Sequence, residues 1–127
     1  ENGYAAHGAD VVAYYSLEEG ASPVYGSEDH AYVWRGATWL FANQENLEAF
    51  RAEPERYAPE YGGYCAYAMA RDNLAPIDPA RWDIVDGSLY LNHSARTRRS
   101  WLENQERDIR AADDLWPGWA ETLRAKN

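Results

Sequence analysis

Two short turn signals constrain this chain more than anything else in it. Arg35-Gly36-Ala37 joins Ala31-Tyr32-Val33-Trp34 to Thr38-Trp39-Leu40-Phe41, and Asp86-Gly87 joins Trp82-Asp83-Ile84-Val85 to Leu89-Tyr90-Leu91. Aromatic and β-branched runs around a Gly-bearing turn read as β-hairpins, and Asp-Gly favours the type I′ turn of tightly joined strands. The segments around them carry helical signals instead. Asn43 is a cap for a helix over 44–52, on which Leu47 and Phe50 share a face. Pro54 opens a short turn through Tyr57, and after the Gly62-Gly63 break an Ala-rich stretch, 64–70, reads as helix. From Ser94 onward Trp101, Ile109, Leu115 and Trp119 are apolar points in a charged background, and Pro117 is expected to break or restart that helix. Asp10 to Tyr15 is a short apolar run suited to a buried strand. The fold class is therefore α+β, a small antiparallel sheet of two hairpins with helices packed on it.

A chain of 127 residues is long enough to bury one core without several disulfides or a structural metal. No repeat or linker divides it, so 1–127 reads as one domain. Six Trp and ten Tyr against two Phe mean that the core is built largely from rings whose polar tips need partners. The net charge of −9 weighs against nucleic acid, which needs Lys and Arg to neutralise phosphates, and against an anionic membrane surface. No apolar run approaches the roughly 20 residues that cross a bilayer, so no membrane insertion is expected. The one basic cluster, Arg96, Arg98 and Arg99, shares its segment with Glu103, Glu106 and Asp108 and reads as a salt-bridged, solvated helix face. No phosphate-binding Gly-rich loop, zinc-protease helix or dinucleotide fingerprint is present. The chain opens at Glu1, a start compatible with a processed, mature protein or with a trimmed chain.

The pattern Trp39-x-Phe41-x-x-x-x-Asn46-x-x-x-Phe50-x-x-x-Pro54-x-x-Tyr57 resembles the YHS domain family. The likeness takes in Gly8-Ala9-Asp10-Val11-Val12-Ala13-Tyr14 upstream. Downstream it takes in Tyr61-Gly62-Gly63-Tyr64-Cys65-Ala66, then Leu89-Tyr90-Leu91-Asn92, and Trp116-Pro117 near the end. Its core is about 8–92, with C-terminal helices over 94–125. The resemblance implies a single YHS-like domain, a role in binding metal, and a place among small stand-alone bacterial proteins that are periplasmic or secreted. In the cysteine-bearing relatives, thiols on the first segment, the hairpin end and the start of the next helix make a soft site suited to Cu(I) or Zn. The resemblance places those three cysteines at Ala13, Ala42 and Asn46, so this chain keeps the scaffold and lacks the thiols.

What chemistry remains centres on Cys65, the single cysteine, just after Gly62-Gly63 at the expected start of a helix. There the dipole and unpaired N–H groups would favour a reactive or metal-binding thiolate. The plainer reading is a small buried hydrophobe among Tyr64, Tyr67 and Ala68. Cys65 with His30, His93, His7 and Met69 is a sensible donor set for copper or zinc if the fold assembles it, and Tyr64, Tyr67 and Trp39 are candidates for lining a pocket. The function expected is a small exported protein binding a soft metal or small ligand near Cys65. Two alternatives stay open. One is a structural or protein-interaction module without metal; the other, weaker, is a thiol enzyme using Cys65 and a histidine.

Overall fold

Both hairpins form where the turn signals place them. In the computed structural model, which describes residues 3–125, β1 (Ser27–Trp34) pairs antiparallel with β2 (Ala37–Phe41), Trp34 facing Ala37 and Ala31 facing Leu40. β3 (Trp82–Val85) pairs antiparallel with β4 (Ser88–Leu91) in unbroken register. The turn residues Arg35 and Gly36 have φ of 51° and 76°, and Asp86 and Gly87 have 51° and 83°. Two successive left-handed residues are what a type I′ turn requires, and glycine takes the second place without a Cβ clash.

The hairpins do not join. Among the described residues they are separate two-stranded sheets rather than one layer. The other edge of β2 is met by the N-terminal segment, through a parallel bridge between Tyr4 and Thr38. The expected strand over Asp10–Tyr15 is also absent. Asp10 Oδ1 accepts from the backbone N–H groups of Val12 and Ala13 at 2.9 and 3.0 Å, and the chain turns there into a 3-10 turn over Ala13–Ser16. A side chain that bonds its own downstream backbone competes with any sheet ladder, and here it wins.

Five α-helical segments follow in order. α1 (Gln44–Ala52) starts on the Asn43 side chain, whose Oδ1 accepts from Asn46 N at 2.8 Å. α2 is Pro54–Tyr57, and α3 is a single turn, Ala66–Met69, shorter than the Ala-rich stretch that signalled it. α4 (Ala95–Glu103) is capped by Ser94 Oγ accepting from Thr97 N at 3.1 Å. α5 (Gln105–Ala125) runs straight through Pro117. The break expected at the proline falls instead at Asn104, where φ is −131°. Pro117 removes only the N–H that would meet the Asp113 carbonyl, and both residues are exposed, so water can take that carbonyl.

β4 is a wall between two cores. Leu89 and Leu91 point into one with Val11, Tyr14, Phe41 and Phe50, whereas Tyr90 points into the other with Tyr61, Met69 and Trp101. Alternation along a strand does this directly. In the first core, Phe50 of α1 meets the rings of Trp34, Trp39 and Phe41 at centroid distances of 5.5, 5.0 and 5.1 Å. Full burial of a side chain of this size stabilises by about 1.5–3 kcal/mol, so α1 is held chiefly by this face. Several ring tips find partners: Tyr14 OH donates to Pro79 O at 2.7 Å, and Trp82 Nε1 to Ala21 O at 2.9 Å. Trp101 Nε1 is buried without one.

Candidate functional site

Three chain segments meet on one buried carboxylate. Asp10 is 0% exposed. Its Oδ1 holds Val12 N and Ala13 N, and its Oδ2 accepts from Ala42 N and from Asn46 Nδ2, both at 2.8 Å. A carboxylate has about four acceptor sites, so these four N–H groups use its whole capacity. Ala13, Ala42 and Asn46 therefore converge on hydrogen bonds to Asp10. No sulfur or imidazole stands at those positions, and the one carboxylate there is already spent. These residues do not fit a soft metal.

Cys65 lies elsewhere, at the foot of α3. It is 1% exposed, its N–H donates to Ala75 O at 3.1 Å, and its thiol donates to Asn92 Oδ1 at 3.5 Å. The same oxygen accepts from Tyr67 N at 3.0 Å. Asn92, directly after β4, is 0% exposed and is fixed by its backbone: its N donates to Arg81 O and its O accepts from Asp78 N, both at 2.9 Å. Its Nδ2 is buried with no hydrogen-bond partner. Turning the amide over would set its NH2 against the Tyr67 N–H, so the oxygen belongs where it is.

The other proposed ligands are spread out. Met69 sits one turn beyond Cys65, and its side chain packs in the second core with Tyr90 and Trp101. His93 Nδ1 lies 3.0 Å from Pro76 O, and His30 Nδ1 lies 3.3 Å from Gln44 Oε1 beside α1. His7 occupies the 3-10 turn over Ala5–Gly8 with φ of 57°. Among the described residues, no group of three or more His, Cys, Asp or Glu is placed to hold a metal ion. The three aromatics are also divided. Trp39 is in the first core, Tyr67 lies under the Arg71 guanidinium at 3.6 Å, and Tyr64 faces Trp116 at 6.3 Å.

The arginine cluster behaves differently from a solvated salt-bridged face. Arg98 Nε and Nη2 donate to Asp83 Oδ2 and Oδ1, both at 2.7 Å, a bidentate pair joining α4 to β3. That bond holds the Arg98 guanidinium above its ordinary pKa. Asp108, expected to partner the cluster, accepts instead from Arg71 at 3.1 Å and Arg107 at 3.3 Å. Asp83, an acid in the middle of a strand pattern, was the one sequence signal of this pairing. Beside it opens a pocket of about 330 Å³, lined by Arg81, Trp82, Ala95, Arg98, Arg99 and Leu102 among others.

Near the second core, Tyr61 OH donates to Asp113 Oδ1 at 2.9 Å. Burial, then that bond, pushes the Tyr61 phenol far above its ordinary value, and burial pushes Tyr90 up to about 12. The Glu60 carboxyl is raised by burial and by the Asp113 charge, against a Ser88 hydrogen bond that lowers it.

An α+β chain whose N-terminal segment, first hairpin and first helix close on one corner is the class that this geometry defines. Residues 21–61 match the family model of the YHS domain, so that stretch of the chain is similar to the YHS-domain family. The match runs from the loop before β1 to the Tyr61 turn and includes Ala42 and Asn46; Asp10, Cys65, Asn92 and the arginine pocket lie outside it. No curated protein and no solved structure matches the chain significantly. Among the described residues, no helix is long and apolar enough to cross a membrane.

Proposed function

We propose that this chain is a small binding module that works without a resident metal. The observation that carries the reading is the Asp10 corner, where positions 13, 42 and 46 are tied by four hydrogen bonds that leave the carboxylate no spare oxygen. A corner held in this way needs no cation for its integrity, and it offers none a soft ligand.

A second reading keeps a soft-metal or small-ligand site at Cys65. It is favoured by the buried Asn92 Nδ2 beside the thiol, an unpaired donor that a small ligand with an acceptor atom could meet. The thiol-enzyme reading has less support, because His30 and His93 are engaged with Gln44 and Pro76 rather than with sulfur. Export is part of the proposal. It rests on the resemblance, and the buried Cys65 thiol is compatible with it, since the folded chain has no exposed cysteine to cross-link.

Titration of the reduced protein with Cu(I) and Zn(II), beside Cys65→Ala, separates the first two readings. The binding-module reading expects no stoichiometric metal in either protein. One tightly bound ion per chain, lost in Cys65→Ala, would establish the second reading instead.

A further inference from the structure

The pocket between β3 and α4 stands out for its charge. The chain carries 21 acidic residues against 12 Lys and Arg, yet every charged residue lining this pocket is an arginine: Arg81, Arg98 and Arg99. The nearby carboxylates are engaged behind or beside it. Asp83 takes Nε and Nη2 of Arg98 and so fixes the plane of that guanidinium, leaving Nη1 outside the pair. Asp78 is 3.4 Å from Arg81 Nε, and Glu19 adds a negative field at Arg98.

What those acids leave over is donor capacity. The Arg81 side chain is 42% exposed, and Asp78 meets it at Nε, which leaves the terminal nitrogens of that guanidinium for an acceptor in the pocket. Arg99 makes no hydrogen bond or ion pair with any described residue. Ala95, the first residue of α4, also lines the pocket, and the first turn of this nine-residue helix holds no acidic residue. Its early N–H groups and the positive end of its dipole add to the same preference. The apolar part of the wall is Trp82 and Leu102, the latter 40% exposed. A pocket of about 330 Å³ is at the small end of those that hold organic ligands.

We propose that this pocket binds a small organic oxyanion, its carboxylate or phosphate group between Arg81 and Arg99 and its apolar body on Trp82 and Leu102. A guanidinium matches either oxyanion with two parallel N–H bonds. Arg98, already paired, holds the wall in place and contributes its remaining nitrogen. This inference rests on the binding-module reading and gives it a ligand class.

The test is a titration of the 15N-labelled chain with benzoate, phenyl phosphate and inorganic phosphate, followed at the Trp82 indole N–H and the arginine Nε–H signals. Saturable shifts with benzoate or phenyl phosphate, weakened about tenfold in Arg99→Gln and unchanged in Arg124→Gln, are expected. The benzoate and phenyl phosphate arms then identify which oxyanion is preferred. Absence of saturable shifts with all three probes would overturn the proposal. So would shifts equally strong in Arg99→Gln and Arg81→Gln, or binding of inorganic phosphate as tight as that of phenyl phosphate, which would remove the apolar wall from the account. The binding-module reading fails separately, on stoichiometric metal uptake, so the two failures are distinguishable.

Discussion

Asp10 and Asn92 are both fully buried polar residues at the junction of several segments, yet one is saturated and the other is not. Asp10 receives four N–H groups from three stretches of chain, and nothing in its corner is left over. Asn92 receives two donors on its oxygen, the Cys65 thiol and the Tyr67 N–H, while its own NH2 has no partner. A filled buried network is a joint; a half-filled one has capacity to spare. The contrast explains why the Asp10 corner reads as structure. It also explains why the thiol that drew attention in the sequence is a weakly bonded core group.

The largest expected effect follows from removing the saturated joint. Asp10→Ala leaves Val12 N, Ala13 N, Ala42 N and Asn46 Nδ2 without their acceptor, and the unfolding free energy in urea should fall by about 4 kcal/mol or more. Asn92→Ala strips the acceptor from one backbone N–H and a thiol but also deletes an unpaired donor, so a loss of about 2 kcal/mol is expected. Equal losses in the two variants would break the comparison.

A smaller effect depends on pH and is shared by both cores. Burial, above all, raises Tyr90 in the second core and Tyr15 beside the first to about 12, from an ordinary value near 10. The unfolded chain therefore releases these protons first, and the folded state binds more of them in between. Stability from this source is complete below pH ~10 and is lost as the pH rises through ~12. Urea midpoints measured across that interval should decline, and Tyr90→Phe should flatten the decline. An unchanged slope in Tyr90→Phe would place the alkaline loss elsewhere.

Much of the fold was legible because its signals are local. Both hairpins, the Asn43 and Ser94 caps and the Pro54 turn follow from residues within a few positions of one another. Where the reading failed, a distant or solvent partner decided. Val11 and Tyr14 are buried, as the apolar run suggested, but Asp10 bends the backbone to reach Ala42 and Asn46, more than thirty residues away. Pro117 stays inside α5 because the carbonyl it frees is at an exposed residue. The site was less legible still. Cys65 could be singled out from its neighbours, but its tie to Asn92 is 27 residues away in sequence. The Arg98–Asp83 pair crosses from helix to strand, so the arginine cluster looked like an ordinary charged face until the chain was folded.

The most direct test of the metal-free corner is to give it thiols. Ala13→Cys, Ala42→Cys and Asn46→Cys together, titrated with Zn(II) beside the unaltered chain, should take up one ion per chain, while the unaltered chain takes up none. An unaltered chain that binds zinc as well as the triple variant would contradict the account. So would a folded triple variant that binds none, because the three positions would then not converge as the Asp10 hydrogen bonds require.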